Sequence, residues 1–121
     1  MLLVVEDDPA IAEMYSFALD LAGYVVIVAT SSEAALRMAV EAEPDLVLMD
    51  IGIPGQSGLE VLREFRSAPA TADLPVVMLT NYGDPGFVAE SVELGALDYL
   101  IKSRTSPALL AERVKGWCSA T

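Results

Sequence analysis

The residues that could carry chemistry in this 121-residue chain follow its apolar segments. These polar residues are Glu6, Asp7 and Asp8, then Asp50, then Thr80 and Asn81, and finally Lys102 and Ser103. Clustered carboxylates repel one another, so one of them takes up a proton or a cation is bound. Oxygen ligands without histidine or thiolate favour Mg²⁺, or Mn²⁺, over zinc or copper. A carboxylate beside such a cation can attack phosphorus, because the metal neutralises the phosphoryl oxygens.

The composition excludes several classes of function. The chain has no histidine, which removes Ser-His-Asp and Cys-His catalysis and the usual zinc ligand sets. Its one cysteine, Cys118, cannot form an internal disulfide. The 18 acidic and 7 basic residues give a net charge of −11. Such a charge argues against non-specific binding of nucleic acid or anionic membranes through this domain.

The length and the hydrophobic pattern predict one domain. No apolar run approaches the about 18–20 residues that a membrane span needs. The first residues turn acidic at Glu6 without a preceding basic region, unlike a secretory signal. We therefore expect a single cytoplasmic domain over residues 1–121, with no output domain in this chain.

Strand-like and helix-like segments alternate along the chain. Short apolar runs predict strands at 2–5, 24–28, 45–49, 75–80 and 97–101. Helices are predicted from Pro9 to Gly23, from the polar cap at 30–33 to Pro44, after Gly58, at 87–94 and from Pro107. The residues expected in the core are Ile11, Met14, Ala18, Leu21, Ala35, Met38, Ala39, Ala42, Met49, Leu59, Leu62, Phe65, Met78, Leu110, Val114 and Trp117. This alternation predicts an α/β fold with a doubly wound, five-stranded parallel sheet.

The functional crevice of such a sheet lies beyond the carboxyl ends of its strands. Polar residues commonly begin where strands end, so a single one of them would indicate little. Acids, a hydroxyl and a lysine at four strand ends are complementary types, which favours a shared site over a set of unrelated surface positions.

Four segments in these positions resemble the receiver domain of two-component response regulators, the CheY-like superfamily. They are Leu-Val-Val-Glu-Asp-Asp-Pro at 3–9, Asp-Leu-Val-Leu-Met-Asp-Ile-Gly-Ile-Pro-Gly at 45–55 with Gly58 after it, Val-Met-Leu-Thr-Asn at 77–81, and Gly-Ala-Leu-Asp-Tyr-Leu-Ile-Lys-Ser at 95–103. Each segment alone is weak, but the ordered set covers essentially the whole chain. The resemblance implies a flavodoxin-like (βα)5 fold with the strand order 2-1-3-4-5 that is known for this family.

The resemblance also implies a role for each site residue. Asp50 would be the phosphoacceptor and a metal ligand, and Asp7 would bind Mg²⁺ directly. Glu6 would bind the ion directly or through water, and the carbonyl of Gly52 would be a further ligand. Thr80 would hydrogen-bond the phosphoryl group, Lys102 would pair with that group, and Tyr99 would be the aromatic switch that turns inward when Thr80 moves. The domain would then be a phosphorylation-dependent signalling switch. It would assist its own phosphorylation and dephosphorylation only, and would not be a metabolic enzyme.

The partners follow from the same resemblance. A histidine kinase or a histidine phosphotransfer protein would donate the phosphoryl group, and a downstream protein or fused output domain would read the result. Acidic residues on the fourth predicted helix, Glu90 and Glu93, stand where dimerising members usually carry basic ones. This favours a monomer or a weak dimer.

Two positions depart from the family pattern, and two rival functions remain. Ser103 replaces the usual proline after Lys102, which leaves the isomer of that peptide bond open. Asn81 replaces a small residue and could crowd or hydrogen-bond the phosphoryl pocket. One rival is a receiver-like interaction module that no longer uses phosphorylation, which Ser103 leaves open. The other is a Mg²⁺-dependent phosphatase or phosphotransferase, against which Gly52 argues because a second acid is expected there.

Overall fold

The computed structural model describes residues 1–81 and 85–119. The strands are β1 (Leu2–Val5), β2 (Val26–Ala29), β3 (Leu46–Asp50), β4 (Val76–Thr80) and β5 (Asp98–Ile101). The helices are α1 (Pro9–Leu21), α2 (Ser32–Glu41), α3 (Gly58–Ser67), α4 (Pro85–Glu93) and α5 (Pro107–Ser119), with a short 3₁₀ helix at Lys102–Arg104. All strand pairs are parallel and their order is β2-β1-β3-β4-β5, which confirms the predicted doubly wound fold.

The core consists of two layers, one on each face of the sheet. Strands β1, β3 and β4 are buried at every position, because helices cover both faces of a parallel sheet. Residues Leu3 and Val47 face α2 and α3, whereas Leu2 and Leu48 face α1 and α5. Side chains alternate between the two layers along each strand. The parity of a residue, that is, whether its position in the strand is odd or even, therefore decides which layer its side chain joins.

Helix α1 packs on the sheet with a different face from the predicted one. Its buried residues are Ala12, Tyr15 and Leu19. Met14 is 47% exposed and Leu21 is 73% exposed, so their assignment to the core is wrong. Both sets recur at helical spacing and differ by one position, or about 100° around the helix axis. Periodicity therefore could not choose between the faces, and the contacts with the sheet and with α5 made the choice.

The other predicted core residues largely hold their places. Leu59, Leu62, Phe65, Leu110, Val114, Met49 and Met78 are buried, and Met38 and Trp117 are partly buried against the core. The second strand begins two residues later than predicted, at Val26, and α4 begins two residues earlier, at Pro85. Residues 82–84 of the predicted turn lie outside the described residues. No helix in the described ranges is long and apolar enough to cross a membrane.

Candidate functional site

Three carboxylates meet at the carboxyl edge of the sheet. Oxygen atoms of Glu6, Asp7 and Asp50 lie within 4.8 Å of one another. Glu6 continues the alternation of β1 after Val4, and Asp50 ends β3 two residues after Leu48. Both side chains therefore lie on the α1–α5 face of the sheet, and both are buried. Asp7 has the opposite parity and is exposed.

Lys102 pairs with two of these carboxylates. Its Nζ donates to Glu6 Oε1 and lies 3.0 Å from Asp50 Oδ2, with only 8% of the lysine side chain exposed. The described peptide bonds are all trans, including the bond between Lys102 and Ser103. This settles the isomer that the sequence left open. Lys102 begins the 3₁₀ turn Lys102–Arg104, and with this trans bond its Nζ still reaches Asp50.

Burial and charge shift the pKa values of this group. Burial raises the pKa of Glu6 above its ordinary value, and hydrogen bonds from Lys102 and from the Asp8 N–H offset only part of that effect. Burial alone would lower the pKa of Lys102. The hydrogen bonds and charges of Glu6 and Asp50 outweigh burial, so the pKa of Lys102 is raised. The lysine therefore remains an ammonium at neutral pH and offsets part of the negative charge.

The backbone after β3 holds Asp50 in place. The N–H of Gly52 donates to Asp50 Oδ1 at 3.2 Å. The N–H of Gly58 donates to the carbonyl oxygen of Ile51 at 2.8 Å. A Cβ at Gly58 would lie 2.4 Å from the Asp50 carbonyl oxygen and 2.8 Å from Ile51 Cα, so α3 can begin here only with glycine. Asp50 thus sits between a fixed strand and a closely packed helix start.

The carboxylates open into a cleft of about 420 Å³. Asp50, Lys102, Thr80 and Asn81 line it, together with Phe87 of α4. Thr80 is buried at the end of β4, whereas Asn81 is exposed. The cleft brings together residues from four strand ends, as the sequence predicted, and it is large enough for a phosphoryl group with its solvent.

Asp8 belongs to the helix and not to the carboxylate cluster. Its Oδ1 accepts from the N–H of Ala10 at 2.9 Å and from the N–H of Ile11 at 3.3 Å. This is the N-cap of α1, with Pro9 at the first helical position. The cap fixes the direction in which the chain leaves Glu6 and Asp7.

Comparison with known proteins identifies the family. The profile of the response regulator receiver domain matches residues 2–115. The chain belongs to this family.

Relatives and solved structures agree with this assignment. The chain is 38% identical to the phosphate regulon transcriptional regulatory protein PhoB of Pseudomonas aeruginosa over 94% of its own length and 49% of that protein. It is 40% identical to the DNA-binding response regulator MtrA of Mycolicibacterium smegmatis, over 94% and 48%. The CheY-like receiver domain protein of Methanospirillum hungatei JF-1 superposes with a TM-score of 0.89 at 27% identity, over 98% and 92% of the two chains. The chain thus spans about half the length of the curated relatives it matches.

Receiver domains are phosphorylation-dependent signalling switches, and this receiver has the acidic cluster of such a switch. The cluster's donors are all oxygen atoms, and one ammonium faces three carboxylates. This donor set and excess negative charge fit a hard divalent cation.

Thr80 lines the Asp50 cleft from the end of β4, and its place in that strand relates it to Tyr99 of β5. Thr80 has the parity of Met78 in β4, and Met78 pairs with Tyr99 in β5. Tyr99 is partly buried against the α2–α3 layer. The two residues thus share one face and are offset by two positions.

Sequence reasoning missed Tyr15, which lies beneath the site. It is buried on α1, and burial raises the pKa of its hydroxyl, with smaller effects from the charges of Lys102, Glu6 and Asp50. The signal was present in the spacing of Ala12, Tyr15 and Leu19, but the competing apolar face of α1 obscured it.

Proposed function

We propose that Asp50 of this receiver accepts a phosphoryl group from a histidine kinase or a histidine phosphotransfer protein. The observation that supports this proposal is the joint arrangement of Asp50, Lys102 and the Glu6–Asp7 pair at one cleft. An oxygen of Asp50 forms the new bond to phosphorus while the bond from phosphorus to the donor nitrogen breaks. The donor imidazole leaves with the electron pair of that bond.

The proposed metal ligands are Glu6, Asp7, Asp50 and the carbonyl oxygen of Gly52. A bound Mg²⁺ supplies charge neutralisation for the phosphoryl oxygens. Both oxygens of Glu6 already accept hydrogen bonds, from Lys102 and from the Asp8 N–H. This favours contact of Glu6 with the ion through water, while exposed Asp7 binds it directly.

The new phosphoryl group brings a charge of about −2 at neutral pH. Lys102 pairs with this charge, and Thr80 hydrogen-bonds the phosphoryl oxygens. Movement of Thr80 then turns Tyr99 inward and changes the surface around α4, β5 and α5. In this proposal residues 1–121 form one receiver domain, acting as a monomer or weak dimer that a downstream protein or a fused output domain reads. It assists only its own phosphorylation and dephosphorylation.

Phosphorylation by a small-molecule donor tests the site. The protein is incubated with acetyl phosphate and Mg²⁺, and intact mass is recorded for the natural chain, Asp50→Asn and the matched surface control Asp73→Asn. We expect one phosphoryl group on the natural chain and on Asp73→Asn, and none on Asp50→Asn. A stable phosphoryl group on Asp50→Asn would show that another residue is the acceptor. No label on the natural chain would favour a receiver-like module that no longer uses phosphorylation.

A further inference from the structure

Two adjacent serines at the start of α2 form hydrogen bonds with different parts of the chain. The hydroxyl of Ser31 accepts from the N–H of Ala34 at 3.2 Å and is the N-cap of the helix. The hydroxyl of Ser32 is buried and accepts instead from the N–H of Gln56 at 3.0 Å, across 24 residues of sequence. The N–H of Ser32 donates to the carbonyl oxygen of Pro54 at 3.1 Å. Ser32 therefore joins α2 to the loop that follows Asp50.

The loop is shaped to receive this serine. Pro54 and Gln56, which both bond to Ser32, flank Gly55, whose φ is +91°. A Cβ at Gly55 would lie 2.3 Å from Ser32 Oγ, so a side chain there would displace the hydroxyl. The turn thus closes directly over Ser32, and glycine is needed both for the backbone angle and for the space.

The same loop leads back to the phosphoacceptor in a few residues. Ile53 is buried in the core beside Pro54, and Gly52 donates its N–H to Asp50 Oδ1. The segment from Asp50 to Gln56 is therefore fixed at both ends, by the strand and carboxylate on one side and by Ser32 on the other. A change at the Ser32 end must be absorbed by the residues between, which include Gly52.

We propose that Ser32 is a positioning residue for the Asp50 site, acting through the 54–56 turn on the carbonyl of Gly52. This inference rests on the proposed function, in which that carbonyl is a ligand of Mg²⁺. Ser32 touches neither the ion nor the phosphoryl group. It sets how well the loop presents its carbonyl oxygen to the ion.

Replacing each serine separates positioning from helix stability. Ser32→Ala removes the acceptor of the Gln56 N–H and loosens the loop, so the dissociation constant for Mg²⁺ rises by about three- to tenfold, the value of one hydrogen bond. Ser31→Ala removes the helix cap, so it lowers the melting temperature. It leaves Mg²⁺ affinity unchanged, because the hydroxyl of Ser31 caps its own helix and the loop bonds to Ser32. Ser32→Thr keeps the hydroxyl and restores affinity toward that of the natural chain.

The experiment is an amide-shift titration with MgCl₂ alone, at a temperature where every variant is folded, alongside thermal melts. Gly55→Ala disrupts the contact between Ser32 and the loop from the loop side, and it replaces Ser32→Ala in the experiment if Ser32→Ala does not fold. Weaker Mg²⁺ binding in Ser32→Ala or Gly55→Ala but not in Ser31→Ala supports the inference. Equal affinity in Ser32→Ala and the natural chain overturns it, as does equal weakening in both serine variants. Failure of the natural chain to bind Mg²⁺, or unchanged binding in Asp7→Ala, would instead refute the metal site of the proposed function.

Discussion

Lys102 and Arg66 both withdraw a cationic group from solvent, but they are held by different partners. Lys102 lies between the carboxylates of Glu6 and Asp50. Arg66, at the end of α3, donates four hydrogen bonds to backbone carbonyl oxygens. The acceptors are those of Ala72 (3.2 Å), Leu74 (2.8 Å), Leu94 (2.7 Å) and Gly95 (3.2 Å).

The pKa values reflect this difference. The pKa of Lys102 is raised, because two carboxylates outweigh its burial. The pKa of Arg66 is lowered by burial, which the nearby charge of Asp73 only partly offsets. Neutral carbonyl oxygens orient the guanidinium without supplying a full counter-charge.

Arg66 joins backbone segments to one another, whereas Lys102 interacts with the charged groups of the site. The planar fork of Arg66 ties the end of α3 to the segment entering β4 and to the turn after α4. Its partners cannot change charge. Lys102 faces carboxylates, whose charge changes on protonation and, in the proposed function, on metal binding or phosphorylation. We therefore expect substitutions of Arg66 to act on stability and substitutions of Lys102 to act on charge-dependent behaviour.

The largest effect on stability is expected for Arg66→Met. Losing four hydrogen bonds from a charged donor should lower the free energy of unfolding by about 2–3 kcal/mol, while phosphorylation by acetyl phosphate continues. Arg63→Met is the matched control on the same helix. Arg63 makes an exposed pair with Glu90 at 3.7 Å, so its removal should cost less than about 1 kcal/mol. Urea denaturation measures both, and equal losses would refute the role given to Arg66.

Lys102→Met should have a smaller effect that depends on pH. Without the ammonium, Glu6 and Asp50 face each other in a buried position, at a cost of about 1–2 kcal/mol because Glu6 can take up a proton. The folded pKa of Glu6 is already raised above 4.5, so the folded state binds this proton more tightly and stability falls as pH rises above that value. Lys102 lowers the pKa of Glu6, so removal of the lysine raises that pKa further and widens the pH range over which stability falls.

The penalty of Lys102→Met should therefore grow as the pH rises above the ordinary pKa of a glutamate side chain. Urea denaturation in EDTA measures it, with Arg66→Met as the comparison whose penalty stays constant. A penalty for Lys102→Met that does not vary with pH would contradict the charge-based account.

Arg66→Lys tests whether the charge or the planar shape of the guanidinium accounts for the effect of Arg66. Lysine keeps the positive charge but lacks the planar fork, and so cannot reach carbonyls on both neighbouring segments. We expect it to recover at most about half of the loss seen in Arg66→Met, leaving a deficit of about 1 kcal/mol. Full recovery of stability would mean that charge alone accounts for the effect of Arg66.

The smallest expected change is in phosphoryl acceptance by Lys102→Ala. Asp50 and the proposed metal ligands remain, so acetyl phosphate should still label the protein. The response beyond the site should be lost, because Lys102 pairs with the phosphoryl group in the proposal. Amide shifts of Tyr99 and α5, with and without beryllofluoride, measure this response, and Arg66→Lys serves as a control that keeps it. If beryllofluoride changes the amide shifts around Tyr99 in Lys102→Ala as it does in the natural chain, the proposed role of Lys102 is refuted.

The fold, and the polar residues that meet at one edge of its sheet, could be predicted from the sequence alone. Apolar runs long enough only for strands, separated by helical spacing, require a parallel sheet covered on both faces. The polar residues that end those runs must then meet at one edge. Glu6, Asp50 and Lys102 were predicted for this reason, and the structure brings them within contact distance.

The buried face of α1 depends on tertiary packing, because two faces of that helix have equal periodicity and the sheet selects one. The contacts of Arg66 and Ser32 were likewise decided there. Their hydrogen bonds join segments up to 29 residues apart, and local patterns carry no information about such partners. The aim of Lys102 was also settled by structure. Its neighbour Ser103 left the backbone isomer open, and in the structure the bond is trans with the ammonium 3.0 Å from Asp50 Oδ2.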